Sequence, residues 1–391
     1  MNSIKLSDVA EILNGYAFKS KNYVNKGIRV IRIANVQNGY ICDEKPCFYP
    51  VETQDEIQQY MLREGDLLVS LTGNVGRVGI LNKDMLPAAL NQRVCCIRIN
   101  ENYVLAKYLY FYFMRSQFVR ECISASSGVA QLNLSPSWLK KKDIPVPPIE
   151  EQRRIVSRIE ELFSELDSAV ETLQKTRQQL EIYRQAVLKE AFQECTVSVK
   201  IEDVCIHVTD GDHMPPPKSE TGIPFIMISN IQNNKINWNN TAFVDSNYFD
   251  KIIDKRRPQQ GDVLYTVTGS FGIPVLIDFD KKFCFQRHIA LLRPNEKINQ
   301  KYLYYVMQNP IVYEQARNKA TGTAQKTVGL SVLRKIEIPF VDSLVEQEKI
   351  VLNIENKMSV CDSIEKTVNE CLQQAKAMRQ SILKKAFEGE L

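Results

Sequence analysis

Histidine is scarce in this 391-residue chain, with three in all, and tryptophan scarcer still, with two. The ten cysteines include no Cys-x-x-Cys pair, and Cys95 and Cys96 are adjacent. No zinc-ligand spacing arises from such a set, and scattered thiols suit the reducing cytoplasm. Long apolar runs are also missing. Tyr108 to Met114 is too short to cross a bilayer, and Met1 to Ala10 is polar and alternating, unlike a signal peptide, so no membrane partner is expected. Neither a Gly-x-x-x-x-Gly-Lys loop nor a Gly-x-Gly-x-x-Gly turn occurs. Met214-Pro215-Pro216-Pro217-Lys218 lacks the flanking Asn or Asp and the aromatic of an amino-methyltransferase motif. No serine or cysteine nucleophile has an identifiable base. Asp210, Asp212 and His213 could hold a metal, but beside Gly211 they suit a turn better. The expectation is a binding device with no catalytic residue, no metal and no cofactor of its own. A net charge of +4 permits nucleic-acid binding without arguing for it.

What the chain does have is one long helix, predicted from Ile149 to Phe192. Pro147 and Pro148 stop the preceding structure and let a helix begin, and Glu150 and Glu151 sit where its dipole favours acids. Ile155, Ile159, Leu162, Leu166, Ala169, Leu173, Thr176, Leu180, Tyr183 and Val187 follow at steps of four and three, a heptad seam. A rod of roughly 60–65 Å needs a partner helix, and the same chain supplies one. Glu346-Gln347 repeats Glu151-Gln152 at an offset of 195 residues, Asp362 repeats Asp167, and Arg379-Gln380 repeats Arg184-Gln185. The second seam reads Ile350, Ile354, Lys357, Cys361, Ile364, Val368, Cys371, Ala375, Met378 and Ile382.

The offset extends into the segments before each helix. Ile31, Ile33, Asn35 and Gln37 match Ile226, Ile228, Asn230 and Gln232; Gly65-Asp66 matches Gly261-Asp262; Gln92-Arg93 matches Gln286-Arg287; Tyr108-Leu109-Tyr110 matches Tyr302-Leu303-Tyr304. The chain is read as a tandem duplication. Its expected fold class is α/β (α+β): two mixed α/β globules, 1–148 and 196–343, with two long helices, 149–195 and 344–391, forming an antiparallel coiled coil with pseudo-two-fold symmetry. Strands are predicted at Arg29–Ala34, Asp66–Leu71, Val78–Leu81 and Val94–Ile99, with counterparts at Pro224–Ser229, Asp262–Val267, Pro274–Ile277 and His288–Arg293. One helix is predicted at Leu105–Cys122, and one at Gln300–Ala316, bent or broken at Pro310.

Two recognition units suit a ligand with a repeat of its own, and duplex DNA is the obvious one. Residues identical in both globules cannot make the half-sites differ, so they should serve the fold or the DNA backbone. Thr72, Gly73, Asn74 and Gly76, with Arg77, and their counterparts Thr268, Gly269, Ser270 and Gly272 form either phosphate-contacting loops or plain hairpin turns. Gln92 and Arg93, and Gln286, Arg287 and His288, could reach bases, touch phosphate or hold a loop. Base reading is expected from the unshared stretches Tyr16–Tyr23, with Lys19 and Lys21, Tyr40–Tyr49, Asp210–Lys218, with Asp212, His213 and Lys218, and Asn237–Asn240.

Asn14-Gly15-Tyr16-Ala17-Phe18-Lys19-Ser20, Gly65-Asp66-Leu67-Leu68, Thr72-Gly73-x-x-Gly76 and Pro147-Pro148-Ile149-Glu150-Glu151-Gln152 are the motifs of the first half. Asp210-Gly211-Asp212-His213 with Gly222-Ile223-Pro224-Phe225, Gly261-Asp262-Val263-Leu264 and Thr268-Gly269-x-x-Gly272 are those of the second. In this order, duplicated over the whole chain, they resemble the specificity subunit of type I restriction–modification enzymes. The resemblance implies two target-recognition domains, each reading one half of a split, asymmetric site in double-stranded DNA. It implies spacer helices that dock two methyltransferase subunits, which bring S-adenosylmethionine, and a motor–nuclease subunit in the full complex. The linker Pro339-Phe340-Val341-Asp342-Ser343 departs from the pattern by lacking paired prolines. The rival readings are a stand-alone DNA-modifying enzyme and a coiled-coil scaffold that never touches DNA.

Overall fold

The computed structural model describes residues 3–128, 130–213, 216–217, 219–323 and 325–391. It divides into two units: Met1–Leu173 with Glu370–Leu391, and Gln174–Asn369. Each unit therefore holds one globule, part of the central helix (Ile149–Ala191) and part of the terminal helix (Leu344–Glu388).

In the first unit Val94–Ile99 lies between Ala10–Asn14 and Leu67–Ser70, and Leu67–Ser70 also pairs with Val78–Ile80, all antiparallel. Leu67, Val69, Cys95 and Ile97 point into one apolar cluster, and Leu68, Val94 and Cys96 into another. Side chains alternate across a strand, so a sheet buried on both faces reads as a nearly unbroken apolar run. A smaller sheet sets Ile28–Ile31 antiparallel to Phe48–Tyr49 and parallel to Ala88–Leu90. Ser3–Lys5 pairs with Asp143–Pro145, which ties the globule's entry to the strand leading into the central helix. The second unit repeats this plan. Ile289–Pro294 lies between Cys205–Asp210 and Val263–Thr266; Ile223–Ile226 lies between Ala242–Val244 and Cys284–Phe285; Val197–Lys200 pairs with Glu337–Phe340.

Several shared residues prove to be fasteners. The Asp66 carboxylate accepts from Arg98 Nε and Nη2 at 3.0 and 2.8 Å and from the Arg63 N–H; Asp262 does the same with Arg293 and the Gln259 N–H. The Tyr108 hydroxyl donates to the Pro145 carbonyl, and the Tyr302 hydroxyl to that of Pro339, both at 3.1 Å.

The long helices feed the globule cores. Ile155, Val156, Ile159 and Phe163 join Leu383, Ala386 and Phe387 in the first core; Val187, Leu188 and Phe192 join Val351 and Ile354 in the second. Within each unit the two helices run antiparallel: Arg379 donates to Asp167 in the first, and Arg184 to Asp362 in the second, where Lys357 also reaches Glu190. Leu180, Cys361, Val368 and Ala375 are buried along the seam; Leu162, Leu166, Leu173, Ile350 and Ile382 are half-buried. Ile364 and Met378, expected in the seam, are instead exposed at 40% and 54%, and Tyr183 at 48%. Seven residues of an α-helix fall about 20° short of two full turns, so the seam drifts and the next residue rotates inward: Arg184, Glu365 and Arg379 are half-buried.

The single helix expected at Leu105–Cys122 is two, Ala106–Phe113 and Ser116–Ala125. Gln380 of the terminal helix bridges the break, accepting from the Ser116 N–H at 2.6 Å and donating to the Met114 carbonyl at 3.1 Å. In the second unit the chain also breaks, into Gln300–Val306 and Pro310–Lys319. Asn309 caps the latter and donates to the Leu188 carbonyl of the central helix at 3.2 Å.

Candidate nucleic-acid interface

Each globule carries one backbone crossing that brings its unshared loop against a turn. A Cβ on Gly15 would stand 2.2 Å from the Asn91 carbonyl, and one on Gly211 would stand 2.0 Å from that of Phe285. Only glycine admits so close an approach. Beyond it, the Tyr16 N–H donates to the Leu90 carbonyl at 2.8 Å, and the Gln92 N–H donates back to the Tyr16 carbonyl at 3.0 Å. The Asp212 N–H donates to Phe285, and the Arg287 N–H to Asp212, both at 3.0 Å.

This geometry corrects the sequence alignment. Leu90 and Gln92 occupy the places of Phe285 and Arg287, so Asn91 corresponds to Gln286 and Arg93 to His288. The matching Gln-Arg dipeptides are one position out of step. The turns share their backbone and not their side chains, and no argument from identity applies to them. Gln92, Arg93 and Arg287 are exposed, and Gln286 and His288 are half-buried. Burial and the neighbouring Arg287 hold the His288 imidazole below its ordinary range, so it is neutral at neutral pH.

Tyr16, 36% exposed, packs its ring edge-on against Phe18 at 5.0 Å and lies 5.2 Å from Tyr60. Lys19 and Lys21 flank it on an exposed turn. At the corresponding place Asp212 accepts a short hydrogen bond from the Tyr248 hydroxyl. His213 hydrogen-bonds Asp210 at 2.8 Å, and Arg256 donates to the other Asp210 oxygen at 3.1 Å. Lys218 lies outside the described residues.

The Thr-Gly turns close on themselves. Gly73 and Gly269 sit at φ +68°, where glycine is favoured. Their N–H groups donate to Leu132 and Lys326, and those of Gly76 and Gly272 to Ser70 and Thr266. Thr72 and Thr268 are buried, each bridged to a neighbouring strand segment, Thr72 to Asn133 and Thr268 to Thr327. These four glycine N–H groups are spent inside the fold, which leaves the exposed tips, Asn74 and Ser270, for any ligand. Arg77 donates to Gln37 at 3.0 Å.

In the second unit the pieces meet. A hollow of about 810 Å³ is lined by Thr268, Gly269, Ser270, Gln286 and His288, with Gln232 and Gln325. A second hollow, of about 260 Å³, lies across the same turn, with Asp212, His213, Arg287 and the apolar Phe225, Met227 and Phe243. Sequence reading missed Tyr248 and Arg256, which reach Asp212 and Asp210 from the short helices Ser246–Lys251 and Asp254–Arg256, and Gln325, which reaches the larger hollow from a loop; none lies in a motif. In the first unit a hollow of about 310 Å³ is lined by Arg32, Gln37, Tyr40 and Lys45. Among the described residues no helix is long and apolar enough to cross a membrane.

By fold and site this is a duplicated α/β binding protein that presents cationic, amide and aromatic side chains around open hollows. The chain belongs to the family described as type I restriction modification DNA specificity domain, which matches residues 1–181 and 196–374. Its relatives include the type I restriction enzyme EcoBI specificity subunit of Escherichia coli, 27% identical over 419 residues, covering 99% of this chain and 85% of that protein. The EcoKI specificity subunit of E. coli strain K12 is 25% identical over 419 residues, covering 99% and 88%. Among solved structures, the fold resembles a chain from work on complex assembly and conformational transition of the type I R-M system, with a TM-score of 0.73 at 20% identity, covering 100% of this chain and 98% of that one. The HsdS subunit from Thermoanaerobacter tengcongensis gives 0.56 at 21%, covering 100% and 97%.

Proposed function

We propose that this chain is the DNA-specificity subunit of a type I restriction–modification complex. The globule of residues 1–148 reads one half of a split, asymmetric site and that of residues 196–343 reads the other. The observation that carries this is the duplicated crossing, one backbone frame bearing different side chains in the two halves. The family match and the kinship with whole specificity subunits support it.

Tyr16, Lys19, Lys21, Asn74, Arg77, Gln92 and Arg93 contact DNA in the first half; Asp212, His213, Ser270, Gln286, Arg287 and His288 do so in the second. The helices of residues 149–195 and 344–391 govern the gap between the half-sites and dock two methyltransferase subunits. Those subunits bring S-adenosylmethionine, and a motor–nuclease subunit completes the complex. This chain is non-catalytic and works in the cytoplasm, where the DNA lies.

The test is a gel shift with the methyltransferase subunits present, followed across salt concentrations, and a methylation assay with and without them. Salt-dependent binding and methylation by the complex alone are expected. Methylation by the isolated chain, or no DNA binding by the complex, would overturn the proposal.

A further inference from the structure

The two crossings form the same backbone site with its chemistry changed. In each unit paired main-chain hydrogen bonds tie one loop residue to a turn: Tyr16 to Leu90 and Gln92, with Arg93 the next residue of the turn, and Asp212 to Phe285 and Arg287, with His288 the next. Behind them the frame is fixed. The Val94 N–H donates to Asn91 at 2.9 Å and the Ile289 N–H to Gln286 at 3.1 Å, and the following strands lie in equivalent ladders. A protein that reads two different half-sites needs positions that are held alike and equipped differently, and these three positions meet that description in both units.

Asp212 is the most informative of the six. A carboxylate facing the DNA polyanion is repelled unless it accepts a hydrogen bond from a base. It can only accept, and in the major groove the donors are the exocyclic amino groups of cytosine and adenine. The Tyr248 hydroxyl takes Oδ2, and Oδ1 has no hydrogen-bond partner among the described residues. Asp212 borders hollows on both sides, of about 260 and 270 Å³, the first also lined by Arg287 and His288. Asp210 is withdrawn from this role, since His213 and Arg256 hold its two oxygens. Tyr16 offers an aromatic face and a hydroxyl that both donates and accepts, so it has no bias toward an amino group.

We infer that these triplets are the base-reading heads of the two units, and that Asp212 selects an amino-bearing base, cytosine or adenine, in the half-site read by the second unit. This rests on the DNA-specificity function proposed above.

The experiment uses the full chain in complex with its methyltransferase subunits, on a library of DNA sites randomised one base at a time. In Asp212→Asn, discrimination in favour of one amino-bearing base in one half-site should fall about tenfold or more, with the other half-site unchanged. Tyr16→Phe should alter preference only in the opposite half-site. If the Asp212→Asn complex melts early, Arg287→Ala, altered on an exposed turn, gives the same readout, and a preference change confined to the second unit's half-site supports the inference. Either variant changing affinity equally for all sequences, or Asp212→Asn keeping every base preference, would overturn it. A wild-type complex that recognises no split site would instead overturn the specificity-subunit function itself.

Discussion

Arg184 of the central helix donates to Asp362 of the terminal helix at 2.6 Å and to Glu365 at 3.0 Å. In the other unit the helices exchange roles, and Arg379 of the terminal helix donates to Asp167 of the central one. The four residues are two copies of one pair, 195 positions apart in the sequence. One ancestral Arg–Asp contact thus serves twice, once in each direction.

Asp362 is 71% exposed and Arg184 23%, so the pair is worth little on its own. Charge reversal at Arg184 with Asp362 left in place should lower the unfolding midpoint, and Arg184→Glu with Asp362→Arg should recover part of it. A double-mutant cycle should give a coupling of about 0.2–1 kcal/mol that shrinks with added salt. Zero coupling at low salt would make the pair incidental.

Gln152 and Gln347 should matter far more. Both are fully buried. Gln152 accepts from the Leu105 N–H at 2.8 Å and donates to the carbonyls of Pro147 and Tyr103 at 2.8 and 3.1 Å. Gln347 accepts from the Asn299 N–H at 2.7 Å and donates to Val341 and Lys297 at 2.7 and 2.9 Å. Alanine at either position takes the partner from three main-chain groups, most of them part-buried, and should cost about 3 kcal/mol by denaturant unfolding. Gln152→Glu should also destabilise at neutral pH, because a carboxylate would face two carbonyls. A neutral effect would show that water replaces the amide.

The repeat, the two helices, the strand Val94–Ile99 and the break before Pro310 were legible because each is written locally, in periodicity, β-branched runs or proline. The break after Met114 was not, because what satisfies it is Gln380, far along the chain. The same distance hid the work of Gln152. Identity along the sequence also misled: Gln92-Arg93 resembled Gln286-Arg287, and only the hydrogen bonds to Tyr16 and Asp212 revealed the one-residue slip. At the candidate interface, Tyr16, Asp212 and the two turns were in view, but Tyr248 arrives from the short helix Ser246–Lys251 and Gln325 from a loop, neither marked by any pattern.

Thiol chemistry gives an independent check on the cores. Burial pushes Cys95, Cys122, Cys205 and Cys284 up to about 12, and Cys96 up further. The thiolate is the reactive form, so these should resist iodoacetamide at pH about 8, close to the ordinary thiol range. Cys42, Cys47, Cys195 and Cys371 are only half-buried and should label first by peptide mass spectrometry. Early labelling of Cys95, in a central strand, or of Cys205, at the start of an edge strand, would contradict their burial in the two cores.

The most direct measurement of separate half-site reading is a domain exchange. Residues 1–148 are replaced by the first domain of another family member, and the methylated sites of a host genome are mapped with the methyltransferase subunits present. One half-site should change while the other half and the gap stay as they were; a change in both halves, or a single contiguous site from the start, would contradict the account.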